Sequence, residues 1–181
     1  MIIPDPEIRE IGSAEFEKHL PALAALLIDA VEDGASVGFL PPLSDSEALA
    51  FWSGVHVAIR SGGRVLVAAF VNDELVGSVQ IQWADMPNSA HRAEVMKLLV
   101  LRRARRRGIA RALMIRIQEC ALKNGRSLLV VDTRVGGSAE KLCEQLGYVK
   151  VGVIPRYVRS ANGNLDGTLI LYRWLEAEDL E

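Results

Sequence analysis

The part of the chain that most restricts its fold is "EVMKLLVLRRARRRGIARAL", from Glu94 to Leu113. Its beginning belongs to a strand, "AEVMKLLVL", which is apolar on both sides in its second half and is therefore expected at the centre of a sheet. From Gly108 the spacing turns helical and stays so to about Asn124, where Asn124 and Gly125 stop it. A buried strand, a short loop and a helix that starts at once make a strand–loop–helix turn. Its loop carries five arginines within residues 102–107.

The segments on either side extend this turn into a layered chain. A short strand candidate lies around Ile8 to Ile11. Ser13 can cap a helix whose first turn holds Glu15 and Glu17, a favourable place for negative charge against the helix dipole. Pro21 is expected to split or bend that helix, and the spacing of Leu23, Leu26, Leu27, Ala30 and Val31 carries it on toward Gly34. A second helix begins at Ser44, with Glu47 completing a capping box, and runs to about Arg60. "RVLVAAFV" and "LVGSVQIQW" read as strands joined into a hairpin by "NDE". Beyond the central strand and its helix come a buried strand "SLLVVDT", a short helix from Ser138 to Leu146, and two strands, "YVKVGVIP" and "TLILYRWL". The expected fold class is α/β, a mixed central sheet of about seven strands with helices on both faces. Without repeats or an interdomain linker, residues 1–181 read as a single domain.

The arginine run is best read through its neighbours. Arg102 to Arg111 holds six of the 21 basic residues and no acidic one, which leaves 15 basic against 23 acidic residues elsewhere. A protein that lies along nucleic acid spreads positive charge over a face, so this distribution argues against a nucleic-acid partner. A strand–loop–helix turn points unpaired backbone N–H groups and the positive dipole end at one spot, and small residues at Gly108 and Ala110 let a phosphate approach. Neither GK[ST] nor GxGxxG is present, so the expected ligand is a compact polyphosphate group other than ATP or a dinucleotide.

No basic region precedes an apolar run at the start, and no stretch approaches the ~20 apolar residues of a membrane span. The expectation is a cytoplasmic protein with no membrane partner. Cys120 and Cys143 lack any CxxC partner, and His19, His56 and His91 are widely separated, so no metal site is expected. A homodimer is one reading of its assembly.

With Arg105-Arg106-Arg107-Gly108-Ile109-Ala110 in this setting, the chain resembles the GNAT superfamily of N-acetyltransferases, whose coenzyme A signature is Q/R-x-x-G-x-G/A. The family's order of elements also matches from end to end. The resemblance implies a GNAT fold with acetyl-CoA as co-substrate. It further implies that the N–H groups of Arg107 to Arg111 hold the pyrophosphate and that the backbone of Leu99, Val100 and Leu101 pairs with the pantetheine arm. The chain is more closely similar to the tabtoxin-resistance acetyltransferases, which acetylate a β-lactam amino acid toxin, through "GASVGF" (34–39), "RAEVMKL" (92–98), "VDT" (131–133) and "SAEKLCEQLGY" (138–148). In that group acidic residues equivalent to Glu94 and Asp132 act as base.

Acetyl transfer needs an amine lone pair, and an alkyl amine with a pKa near ~10 is almost wholly protonated at pH 7, so a base is useful. Glu94 begins the central strand and Asp132 ends the next, which can bring both carboxylates to one cleft; either acts as base, or one binds the substrate's ammonium. The bland alternatives are that Asp132 caps a turn and that Glu94 pairs with Arg92 or Lys97 on the surface. A backbone N–H near Leu99 or Val100, exposed by a bulge, is the expected oxyanion donor. Many family members carry a tyrosine just before "LGY", and here Cys143 stands instead. Cys143 is either a proton donor to the leaving thiolate or a small buried hydrophobe, with Tyr148 and Tyr157 as substitutes for the donor. Val37, Phe39, Leu40 and Trp83 are candidates for the acceptor pocket, with core packing an equal alternative for each, and His56 reads as a satisfied core or surface residue of its helix. The expected acceptor is a primary amine on a small molecule, amino-acid-like or toxin-like. The alternatives are a protein N-terminus or lysine, and a silent acyl-CoA sensor.

Overall fold

The computed structural model describes residues 5–176. Seven strands form one sheet: β1 (Glu7–Glu10), β2 (Arg64–Val71), β3 (Glu74–Trp83), β4 (Arg92–Val100), β5 (Leu128–Arg134), β6 (Val149–Arg159) and β7 (Leu165–Trp174). Their spatial order is β1-β2-β3-β4-β5-β7-β6. β4 and β5 are parallel, and the other neighbouring pairs are antiparallel. Helices α1 (Phe16–Glu32) and α2 (Asp45–Arg60) pack on one face, and α3 (Ile109–Lys123) and α4 (Ser138–Gln145) on the other. The mixed α/β sheet covered on both sides is the one the sequence predicts. It explains why β3 is buried continuously from Leu75 to Ile81, with no alternation.

Local chemistry sets the element ends. Ser44 Oγ accepts from the Glu47 N–H while Glu47 Oε2 accepts from the Ser44 N–H at 3.0 Å, closing the capping box of α2. Asn72 and Asp73, both at positive φ, turn β2 into β3 in a two-residue hairpin. α1 does not split at Pro21. The donor lost at Pro21 lies near the helix start on its exposed side, while Phe16, Leu23, Leu26, Leu27 and Val31 are fully buried beneath.

Two irregularities of the central strand position the site. On β3 and β4, Ser78 stands opposite Leu99 and Gln80 opposite Met96, so two steps on β3 match three on β4. This bulge falls at Lys97, whose φ is 52. The second irregularity is a split: β4 and β5 pair only from Arg92–Leu128 to Val95–Val131. Past that point β4 stays with β3 and β5 with β7, and the two strands part.

Candidate active site

The split leaves one edge of β4 without a neighbouring strand. The Leu101 N–H donates to the Val76 carbonyl at 2.9 Å, and Leu99 stands opposite Ser78. Backbone polarity alternates along a strand, so Leu99 and Leu101 face β3 and Val100 turns its N–H and carbonyl toward the split. The Val100 carbonyl accepts from Arg105 Nε at 3.1 Å. Of the three residues expected along the pantetheine arm, Val100 is thus the one whose N–H is directed into the opening.

The helix that follows is held close to this strand. A Cβ on Gly77 would stand 2.9 Å from the Leu99 carbonyl oxygen, 3.2 Å from Leu113 and 3.3 Å from Ile109, so glycine lets the start of α3 settle on the sheet. Gly108 caps α3 at φ 76, no side chain caps it, and its first turn contains no acidic residue. Helical bonding begins with the Ala112 N–H to the Gly108 carbonyl at 3.0 Å. The N–H groups of Ile109, Ala110 and Arg111 therefore have no carbonyl partner within the helix, at the end where the dipole is positive. These residues fit the phosphates of acetyl-CoA: donors converge, and no cap or carboxylate competes for them.

The arginines around this turn divide into two sets. Arg102 donates from Nε to Asp29 Oδ1 at 2.8 Å and from its backbone N–H to Asp29 Oδ2 at 2.9 Å. Arg103 pairs with Glu74, and Arg105 with Asp33 at 2.5 Å. Partial burial pushes the Asp29 carboxyl up, but the N–H and guanidinium of Arg102 outweigh it and hold Asp29 below its ordinary value. Among the described residues Arg106, Arg107 and Arg111 form no ion pair. The partners of the anchored set come from α1, its C-terminal cap Asp33 and β3, as far as 73 positions away, which is why the sequence run looks uniform and the folded run is not.

The two carboxylates share a face. Arg64 stands opposite Gln82, Gln82 opposite Glu94, and Glu94 opposite Val130, and Asp132 lies two residues beyond Val130 on the same side. This is the α1–α2 face, where both Glu94 and Asp132 are exposed. Neither forms an ion pair among the described residues, so the surface pairing of Glu94 with Arg92 or Lys97 is not observed. Arg64 donates to Gln80 Oε1 at 2.9 Å and also to Gln82.

Lys97 joins this group on the same face, a placement that the spacing of the sequence does not show. In a regular strand Lys97 would share the side of Val95 and enter the core beneath α3. The bulge turns it over, so that Nζ lies 5.8 Å from the Phe51 ring centroid on α2 and 3.5 Å from the place of a Cβ on Gly38. Burial lowers the Lys97 pKa, opposed by the attraction of Asp132 and then, after the repulsion of Arg64, by that of Glu94.

A cleft of about 260 Å³ opens between the α1–α2 loop and the β6–β7 turn, lined by Gly38, Phe39, Leu40, Arg134, Arg159 and Asp166 among others. Phe39 and Leu40, two of the residues expected around the acceptor, are among those lining this cleft. Val37 packs into the α1–α2 core instead, and Trp83, opposite Ala93, packs against the core on the α3 side. His56 is satisfied by Glu17 and Ser13 and stacks on Phe16.

Cys143 is not brought to the carboxylates. It is 1% exposed in the core shared by α3 and α4, on the other side of the sheet, and burial pushes its thiol up to about 11. Tyr148 lies in the same core, where its hydroxyl accepts from Gln118 Nε2 at 3.4 Å and burial raises its pKa. Tyr157 is exposed on β6. No group of His, Cys, Asp and Glu that could hold a metal occurs among the described residues, and none of their helices is long and apolar enough to cross a membrane.

A mixed sheet split beside a bulged central strand, with an uncapped helix start at its mouth, defines the class of acyl-CoA-dependent acetyltransferase folds. Solved structures share it. An N-acetyltransferase from Staphylococcus aureus Mu50 superposes with a TM-score of 0.78 at 18% identity, covering 96% of this chain and 100% of its own. The ribosomal-protein-alanine N-acetyltransferase of Brucella melitensis gives 0.78 at 23% identity, with 93% and 99% covered. The yncA protein of Salmonella typhimurium, solved with its cofactor acetyl-CoA, gives 0.76 at 17% identity, with 96% of each chain covered. The acetyltransferase (GNAT) family model matches residues 28–148, and the chain belongs to that family. Its co-substrate is accordingly acetyl-CoA.

Proposed function

We propose that this protein transfers an acetyl group from acetyl-CoA to a primary amine of a small, amino-acid-like molecule, with Asp132 as base and Glu94 assisting. The observation that carries this reading is the convergence at the split: the free N–H groups at the start of α3, the Val100 N–H, and two carboxylates on one face. Asp132 lies one residue past the last β4–β5 pair, where the strands have parted, whereas Glu94 lies one residue before it. Asp132 is therefore nearer the place where a thioester would rest against Val100. The co-substrate supplies an activated acyl carbon and a thiolate leaving group.

On this reading Asp132 accepts the proton of the acceptor ammonium, directly or through a water, and Glu94 helps hold the cation. The Val100 N–H donates to the oxyanion as the amine adds. As the adduct collapses the C–S bond breaks, and the proton lost from the new amide nitrogen passes through water to the departing thiolate, because Cys143 and Tyr148 lie in the core on the other face. The small cleft and the likeness of the four quoted segments to the tabtoxin-resistance acetyltransferases both favour a small acceptor over a protein one.

Calorimetric titration of acetyl-CoA into the wild type and into Ala110→Trp tests this reading. Micromolar binding to the wild type, lost in the variant at unchanged circular dichroism, is expected, together with CoA release on adding an amine. No binding to the wild type would overturn the reading.

A further inference from the structure

We propose that Lys97 is a specificity-determining residue that binds a carboxylate on the acceptor, so that the preferred substrate is a zwitterionic amino acid and not a simple amine. This rests on the acetyltransferase reading above and adds the charge pattern of the acceptor to it.

The bulge is the first ground. It places Lys97 at a left-handed φ of 52, a conformation unfavourable for a side chain with a Cβ, and reverses the side chain from the α3 core to the acceptor face. A lysine carried there is half-buried, yet it forms no ion pair among the described residues. Its ammonium is flanked by the Phe51 ring and Gly38, and Gly38 also lines the cleft. A half-buried cation without a close anion is costly, and a carboxylate arriving beside Gly38 at the edge of the cleft relieves that cost through a charge-assisted hydrogen bond.

The second ground is the arrangement of opposite charges. Asp132 exerts the largest attraction on Lys97, with Glu94 a lesser one. The face beside the cleft therefore offers the carboxylates of Asp132 and Glu94 for an ammonium and, with Arg64 on the same side, the ammonium of Lys97 for a carboxylate. A plain alkyl amine would satisfy the first pair and leave Lys97 without its anion. An amino acid matches both signs, and the unpaired charge penalises the amine that lacks one.

The test measures CoA release with the twenty common amino acids, each against the amine that remains when its carboxylate is removed. Wild type, Lys97→Met and Lys97→Arg are compared, and acetyl-CoA titration is run on each. The expected result is at least one amino acid favoured over its amine by about tenfold or more in kcat/KM. That preference should lie in KM, collapse toward unity in Lys97→Met and return in Lys97→Arg. A preference that survives in Lys97→Met, or amines turned over as well as amino acids, overturns the proposal. So does acetyl-CoA binding with no amino acid acetylated, although the acetyltransferase reading then stands. Failure to bind acetyl-CoA at all removes that reading and this one with it. Lys97→Arg also separates a charge effect from misfolding, since both variants carry the same backbone strain.

Discussion

Asp29, near the end of α1, grips Arg102 twice, taking the guanidinium Nε at 2.8 Å and the backbone N–H at 2.9 Å. The second bond fixes the main chain at the entrance to the turn proposed to hold the phosphates. Asp29→Asn is expected to weaken acetyl-CoA binding severalfold by calorimetry while leaving the circular dichroism spectrum unchanged.

The same contact predicts a dependence on pH. The Asp29 pKa is lower in the folded protein than the ~3.9 of an unfolded chain, so folding favours the ionised form. Its contribution to stability is present above the unfolded value and is lost as pH falls through the folded one. Urea denaturation of the wild type and Asp29→Asn should therefore differ most near neutrality and converge in acid.

The buried thiols act at the opposite end of the scale. Burial raises Cys143 to about 11, and burial together with Glu10 raises Cys120 to about 12. An unfolded thiol ionises near ~8.5, so stability is fully present below that pH and falls as pH rises toward the folded values. Cys143→Ala should show a smaller loss between these limits. Because its thiol faces the core, the substitution should also leave kcat within a factor of about two while lowering stability by about 1 kcal/mol.

Removing the proposed base should separate chemistry from binding. Asp132→Asn is expected to lower kcat by about 10²–10⁴-fold, the range for a positioned general base, with acetyl-CoA affinity unchanged. An unaltered rate would show that Asp132 is not the base and would move the assignment to Glu94. Glu94→Gln should act chiefly through KM.

Gly77 tests the seating of α3, the helix proposed to hold the phosphates. Its missing side chain accommodates the Leu99 carbonyl, Ile109 and Leu113 together, and a backbone atom at 2.9 Å cannot rotate away. Gly77→Ala should cost about 1–3 kcal/mol, as overpacking does, and should weaken acetyl-CoA binding by displacing α3.

Features decided by neighbours in the chain were legible beforehand. The Ser44–Glu47 cap, the Asn72–Asp73 turn, the helix start at Gly108 and the central place of β4 in the sheet all follow from local spacing, whereas β5, read as a buried strand, is buried only at Leu129 and Val131. Features decided across the sheet were not. Period-two alternation cannot show that Lys97 leaves its expected face, because the extra residue in β4 exists only relative to β3. Nor can the sequence separate Arg102, Arg103 and Arg105 from Arg106 and Arg107, since their carboxylate partners arrive only through folding. Cys143 occupies the helix position where a functional tyrosine was expected, but the packing of α4 against the α3 side decides which way it faces.

The parting of β4 from β5 after four residue pairs makes the sheet a wedge hinged at one end. Its two jaws, β1–β4 and β5–β7, carry unlike cargo: the first bears Val100 and leads into the phosphate turn, and the second bears Asp132 and the arginine-lined wall. A small change in the opening angle would alter the distance between Val100 and the proposed base Asp132 while each jaw keeps its own hydrogen bonds. Ligand occupancy should therefore register as slowed amide exchange along the inner lips, at residues 96–101 and 132–134, with little change in the helices behind them.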